Sequence, residues 1–246
     1  MKNIATKYLI IGNSAGAIGA VEAIRSTDRD GSITIVSDEP YHAYSRPLIS
    51  NYLAHTCTLE NMLYRPQSFY EDNSVGTLLG EQIITIDPTK HEARLADGGV
   101  IKWQKLLIST GGTPISPPIK GADKDGVFTF TTLKDAKKID VYIDKNMKAV
   151  VIGGGLIGLS LTEALVKRGI SVTIVELKDY ILNVMLDESS AALASKALTD
   201  NGVNLATGHT VSTINGTSKV SSVTLEDGSK MDCDIVAIAI GVLPNT

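Results

Sequence analysis

The chain has 246 residues, 43% apolar and 20% charged, an ordinary globular composition with length for one large or two ordinary domains. A net charge of −4 gives no basic footprint for nucleic acid, and no apolar segment approaches the roughly 20 residues of a membrane span, so neither is expected as a partner. Cys57 and Cys233 lie far apart with no CxxC and no metal-ligand spacing, which points to a reduced, cytoplasmic chain without a metal site.

Lys2 and Lys7 ahead of YLIIGNSAGAIGAV have the outline of a signal peptide. Asn13 and Ser14 argue against it, because they interrupt the apolar run where a nucleotide-binding turn would put them. The spacing predicts a strand over 8–11, a helix over 14–25 and a strand over 33–36. The turn between the first two is Gly12-Asn13-Ser14-Ala15-Gly16-Ala17. Its first glycine allows a sharp exit from the strand, Ser14 offers a hydroxyl to a phosphate, and Ala17 still permits close helix–strand packing. The second strand ends on Ser37, which leaves Asp38 or Glu39 to reach a ribose, or both as solvated loop charges.

An aromatic, proline-punctuated loop follows, from Pro40 through Tyr44, Arg46 and Pro47, into a helix starting near Leu48. A polar stretch with helical character (67–73) precedes short strands over 77–79 and 83–86. A hairpin over 90–102 turns at Asp97-Gly98-Gly99, and a buried strand is expected over 106–109. It ends in Thr110-Gly111-Gly112, small residues that admit a ligand close to the backbone. Pro114, Pro117 and Pro118 mark the best domain boundary.

Beyond a helix over 133–144 lies the strongest pattern, AVVIGGGLIGLSLTEALVKRGISVTIVE over 149–176. It runs strand, glycine turn, helix, strand and terminal acid, the order of a dinucleotide-binding βαβ unit. Gly153 turns the chain, Gly155 keeps side chains away from a pyrophosphate, and Gly158 lets helix and sheet approach. The helix N-terminus supplies N–H groups and a positive dipole end. A helix over 187–201, strands over 203–205, 211–214 and 220–225, and an apolar strand over 234–240 ending at Gly241 complete the pattern.

Two such turns, the YSRPLIS loop, the STGG strand end and the closing AIGVLPNT together resemble the pyridine nucleotide-disulfide oxidoreductase family. The ferredoxin and rubredoxin reductase branch and the flavin subunits related to nitrite reductase are most similar. The resemblance implies an α/β fold with two Rossmann-like dinucleotide-binding domains: an FAD-binding part over 1–113, an NAD-binding domain over 114–241, and a returning FAD-domain segment from 242. It places Gly12, Ser14, Ala15 and Gly16 at the FAD pyrophosphate, Glu39 at its ribose and Arg46 and Pro47 near flavin and diphosphate. Thr110 and Gly111 would run along the cofactor, and Ile83 would meet the adenine through its backbone. Gly153, Gly155, Leu156, Ile157, Gly158 and Glu176 would hold NAD, with Gly241 near the nicotinamide.

The chain departs from the family in three ways. It has no cysteine pair after the first βαβ unit and no single cysteine in the YSRPLIS loop, so disulfide reduction is not expected. The Lys and Glu that ferredoxin reductases usually place beside the flavin are Asn51 and Ser160 here. The sequence also stops at Thr246, where the family continues with a Gly-Asp segment that binds FAD; an incomplete FAD domain would bind flavin weakly and leave an edge for a partner subunit or dimer. The expectation is an FAD-dependent NADH oxidoreductase that passes electrons to an iron–sulfur or rubredoxin-type carrier. An NADH oxidase, a nitrite reductase flavin subunit and a catalytically silent nucleotide-binding module remain alternatives.

Overall fold

The computed structural model describes residues 3–245. The chain forms two compact units: the first holds the chain up to Ser45, Leu59–Gly112 and the residues from Pro244, and the second holds Arg46–Thr58 and Thr113–Leu243. Residues 46–58, grouped with the first domain from sequence, therefore cluster with the second unit.

The first unit is built on a six-stranded sheet, in the order Val75–Leu79, Ile33–Ser37, Asn3–Ile11, Val100–Ile108, Glu92–Leu95, Ile83–Asp87. The first three pairings are parallel and the last two antiparallel. Successive residues of a strand point to opposite faces. Ile10 accordingly packs with Ile18, Val21 and Phe69, while Leu9 and Ile11 pack with Val36, Leu95 and Ile101. Burial on both faces is why these strands read as continuous apolar runs. The predicted hairpin arm and the strand over 106–109 are one strand, Val100–Ile108, and its end is not buried: Leu107 is 38% and Ile108 52% exposed.

The second unit has a five-stranded parallel sheet, in the order Asn204–Thr207, Ser171–Glu176, Lys148–Ile152, Ile235–Ile238, Val127–Thr129. The strand predicted over 234–240 is thus shorter at both ends. An antiparallel sheet of Val211–Asn215, Ser222–Leu225 and Lys230–Asp232 joins the same core, where Val150, Ile152, Val175 and Val236 meet Val211, Val223, Leu225 and Cys233. Helix Leu156–Lys167 packs on strands Lys148–Ile152 and Ser171–Glu176. Helix Leu133–Tyr142 starts in a capping box, with Asp135 N–H on Thr132 Oγ1 at 3.1 Å and Thr132 N–H on Asp135 Oδ2 at 3.0 Å, worth about 1 kcal/mol.

Helix Ile49–Leu53 packs on helices Leu133–Tyr142 and Leu156–Lys167. A polar clamp explains the attachment. The Arg168 guanidinium donates to Leu53 O at 2.8 Å and to the Asp140 carboxylate, which His55 Nε2 also meets at 2.9 Å.

Candidate functional site

The two glycine turns are built alike. Gly12 N–H donates to Val36 O and Ser109 N–H to Ile11 O, both at 2.8 Å; Gly153 N–H donates to Val175 O and Ala239 N–H to Ile152 O, also at 2.8 Å. Gly12 and Gly153 have φ of +111° and +110°, and a Cβ would lie 2.1 Å from Ser109 O in one and 2.5 Å from Ala239 O in the other. Only glycine fits either position.

The following helices, Ala15–Thr27 and Leu156–Lys167, begin at Ser14 and Gly155, and neither N-cap makes a side-chain capping bond. Their first-turn N–H groups therefore lack both an intrahelical acceptor and a side-chain cap, the arrangement that suits an anion. A Cβ on Gly155 would meet nothing within 4 Å, whereas one on Gly158 would lie 2.1 Å from Gly153 O. Gly155 leaves open space and Gly158 lets the helix touch the turn. In the first unit Ala17 is fully buried and Gly16 sits beside Ser109.

In the second unit the turn opens into a cavity of about 860 Å³. Gly153, Gly155, Leu156, Ile157, Glu176 and Gly241 all line it, together with Leu182, Val184 and Met185; Gly158 does not line it, and a Cβ there would lie 3.4 Å from Val151 Cγ1. Glu176 ends its strand with Oε2 accepting from Gly154 N–H at 2.6 Å and Oε1 from Lys178 N–H at 2.9 Å. Gly241 has φ of +115° and accepts from Ile115 N–H at 3.0 Å.

In the first unit Glu39 follows strand Ile33–Ser37 and accepts from Tyr44 Oη at 2.5 Å. The chain at Glu81 is tied to Ser37 O at 2.9 Å, which brings the start of strand Ile83–Asp87 towards the same strand end. Thr110 and Gly111 hold Asn245: Thr110 Oγ1 donates to its carbonyl at 2.9 Å, its Nδ2 donates to Thr110 O at 3.1 Å, and its N–H donates to Gly111 O at 3.0 Å. Arg46 lies in the second unit, where it donates to Thr131 O at 3.1 Å, and Pro47 is exposed next to it.

Tyr70 had no part in the expectations from sequence, and Asn13 entered them only as a break in the apolar run. Asn13 donates to Tyr41 O at 3.0 Å and accepts from Tyr70 Oη at 2.7 Å, and Tyr70 Oη accepts from Ala43 N–H at 3.1 Å. Burial pushes the Tyr70 phenol up, against these hydrogen bonds, so it stays protonated and donates to Asn13. The asparagine in the first turn was the available signal; nothing local pointed to Tyr70. Among the described residues no cluster of His, Cys, Asp and Glu could hold a metal ion, and no helix is long and apolar enough to cross a membrane.

Two α/β units, each with a glycine turn leading into an uncapped helix, define a protein with two Rossmann-like dinucleotide-binding domains. The family described as pyridine nucleotide-disulphide oxidoreductase matches residues 6–246, and the chain belongs to it. It is 34% identical over 239 residues to the NADH-dependent phenylglyoxylate dehydrogenase subunit epsilon of Aromatoleum evansii, covering 97% of this chain and 57% of that protein. It is 31% identical to rhodocoxin reductase of Rhodococcus erythropolis, over 96% of this chain and 56% of that protein. The covalent putidaredoxin reductase–putidaredoxin complex superposes with a TM-score of 0.90 at 26% identity, over 97% of this chain and 59% of that one. The chain thus spans somewhat more than half the length of these relatives.

Proposed function

We propose that this chain is the nucleotide-binding part of an FAD-dependent NADH oxidoreductase that delivers electrons to a small iron–sulfur or rubredoxin-type carrier. The observation that carries the reading is the cavity of the second unit, which joins the uncapped helix N-terminus, the open face of Gly155, the Glu176 carboxylate and Gly241 in one site. Those groups match a dinucleotide: N–H groups for the pyrophosphate, a carboxylate for ribose hydroxyls, and a Cβ-free position beside the nicotinamide. In this reading Gly153 and Gly158 set the turn, and Leu156 and Ile157 present their N–H groups.

FAD fits the first unit by the same logic. Gly12, Ser14, Ala15 and Gly16 would meet its pyrophosphate, Glu39 its ribose, Ile83 its adenine through the backbone, and Thr110 and Gly111 its length. When both are bound, the nicotinamide supplies a hydride and the flavin passes electrons onward, which leaves the protein to bind, orient and exclude water.

The carrier is supported by the relatives named rhodocoxin reductase and putidaredoxin reductase. The relative named as a dehydrogenase subunit favours a second reading, delivery to a partner subunit. Purified protein carrying a flavin absorbance that NADH bleaches is the expected result, and no flavin uptake with no NADH binding would overturn the proposal. Reduction of added ferredoxin or rubredoxin faster than of oxygen supports the free carrier; reduction only with a co-purifying subunit supports the second reading.

A further inference from the structure

The two glycine turns are held by different means. In the first unit the residue after the leading glycine is Asn13, tied by its own side chain to Tyr41 and Tyr70. Its counterpart in the second unit is Gly154, and a Cβ there would lie 2.8 Å from Ile181 Cγ2 and 3.2 Å from Glu176 Oε2. With no side chain, Gly154 is held through its peptide groups. Its N–H donates to Glu176 Oε2 at 2.6 Å, and its C=O accepts from Leu182 N–H at 2.8 Å. The second Glu176 oxygen is held by Lys178 N–H. Leu182, on the cavity wall, has φ of +54°, a left-handed conformation that a leucine adopts only when its surroundings impose it.

We propose that Glu176 is a positioning residue for the coenzyme turn, acting through the Gly154 peptide, and that Leu182 closes the latch from the other side; this rests on the coenzyme site proposed above. An ionised carboxylate on a backbone N–H makes a charge-assisted hydrogen bond, here on the peptide between the two glycines that aim the turn. The Gly154 N–H is thereby engaged, and the donors left for an anion are the uncapped first-turn N–H groups. A carboxylate held by two backbone donors also has a set orientation before any ribose arrives. Removing it should therefore loosen the turn as well as remove the like charge that opposes a 2′-phosphate.

The test combines amide hydrogen exchange of the ligand-free chain with titrations of NADH and NADPH, for wild type, Glu176→Ala and Glu176→Gln. Exchange at Gly154 should accelerate by about tenfold or more in Glu176→Ala, as expected when a hydrogen bond to a charged group is lost. Glu176→Gln, which keeps one acceptor oxygen, should fall between. NADH affinity should drop about tenfold or more in Glu176→Ala, and NADPH, relieved of the like charge, should lose less. Unchanged Gly154 exchange, or NADH bound as tightly as by wild type, overturns the latch. If wild type binds neither coenzyme, the coenzyme site itself fails, while the exchange comparison still decides whether Glu176 holds the turn.

Discussion

Gly158→Ala and Gly155→Ala should separate stability from binding within one turn. In an ordinary helix, alanine in place of glycine gains about 1 kcal/mol. At position 158 the new Cβ would lie 2.1 Å from Gly153 O, about 1.2 Å short of a normal carbon–oxygen contact. The obstacle is backbone, and Gly153 is anchored to Val175 O, so the helix start must move off the strand. Overpacking of this kind costs about 1–3 kcal/mol, and more where nothing yields. We expect a net loss of about 2 kcal/mol, or about 4–8 °C in melting temperature for a chain of this size. At position 155 the backbone φ is −83° and the new Cβ meets nothing, so Gly155→Ala should melt with wild type. Its methyl would instead occupy the approach to the helix N-terminus, and NADH affinity should fall about tenfold, or 1.4 kcal/mol. Thermal melts and calorimetric titrations of both variants decide the matter. Gly158→Ala melting at or above wild type, or Gly155→Ala binding NADH like wild type, refutes the reasoning.

NADH should be used in preference to NADPH, because Glu176 would face the 2′-phosphate with like charge; higher kcat/KM with NADPH would contradict this. Burial, with Asp234 and Asp232 nearby, pushes the Cys233 thiol up to about 12, so a thiol reagent at pH 8 should titrate Cys57 alone in native protein and both cysteines in denaturant. Burial tends to raise the Asp140 carboxyl, but hydrogen bonds from Arg168 and His55 outweigh it and hold it below its ordinary value. Because the folded value is the lower one, the clamp contributes fully above the unfolded value of about 3.9 and fades as pH falls through the folded one. The stability difference between wild type and Asp140→Asn should thus be flat near neutrality and shrink below about pH 4; a constant difference down to pH 2 would show that the carboxylate charge is irrelevant. Arg25 donates to the carbonyls of Asp28, Gly31, Asn73 and Ser74, and Arg25→Met should cost about 2–3 kcal/mol in denaturant unfolding, with less than 0.5 kcal/mol marking the staple as solvent-replaceable.

The sequence by itself determined the two glycine turns, the strands that enter and leave them, and the acids that follow. These features are local: an apolar run, a glycine that must take positive φ, and a helix start fall within 30 residues, and backbone sterics act over that range. It also carried the reason for Gly12 and Gly153, although the carbonyls that exclude a side chain, Ser109 O and Ala239 O, are visible only in the fold. Tertiary structure alone decided what distant residues do to one another. Residues 46–58 cluster with the second unit because helix Ile49–Leu53 packs there and Arg168, 115 positions beyond Leu53, reaches its carbonyl. Strand 100–108 runs unbroken, through exposed Leu107 and Ile108, because strand Asn3–Ile11 pairs with it along its length. Thr110 is tied to Asn245 across 135 residues, and Gly154, silent in the glycine pattern, is held by Glu176 and Leu182. Hydrogen bonds and packing across such separations leave no period or spacing in the chain, since their energy depends on where the backbone returns and not on which residues are neighbours.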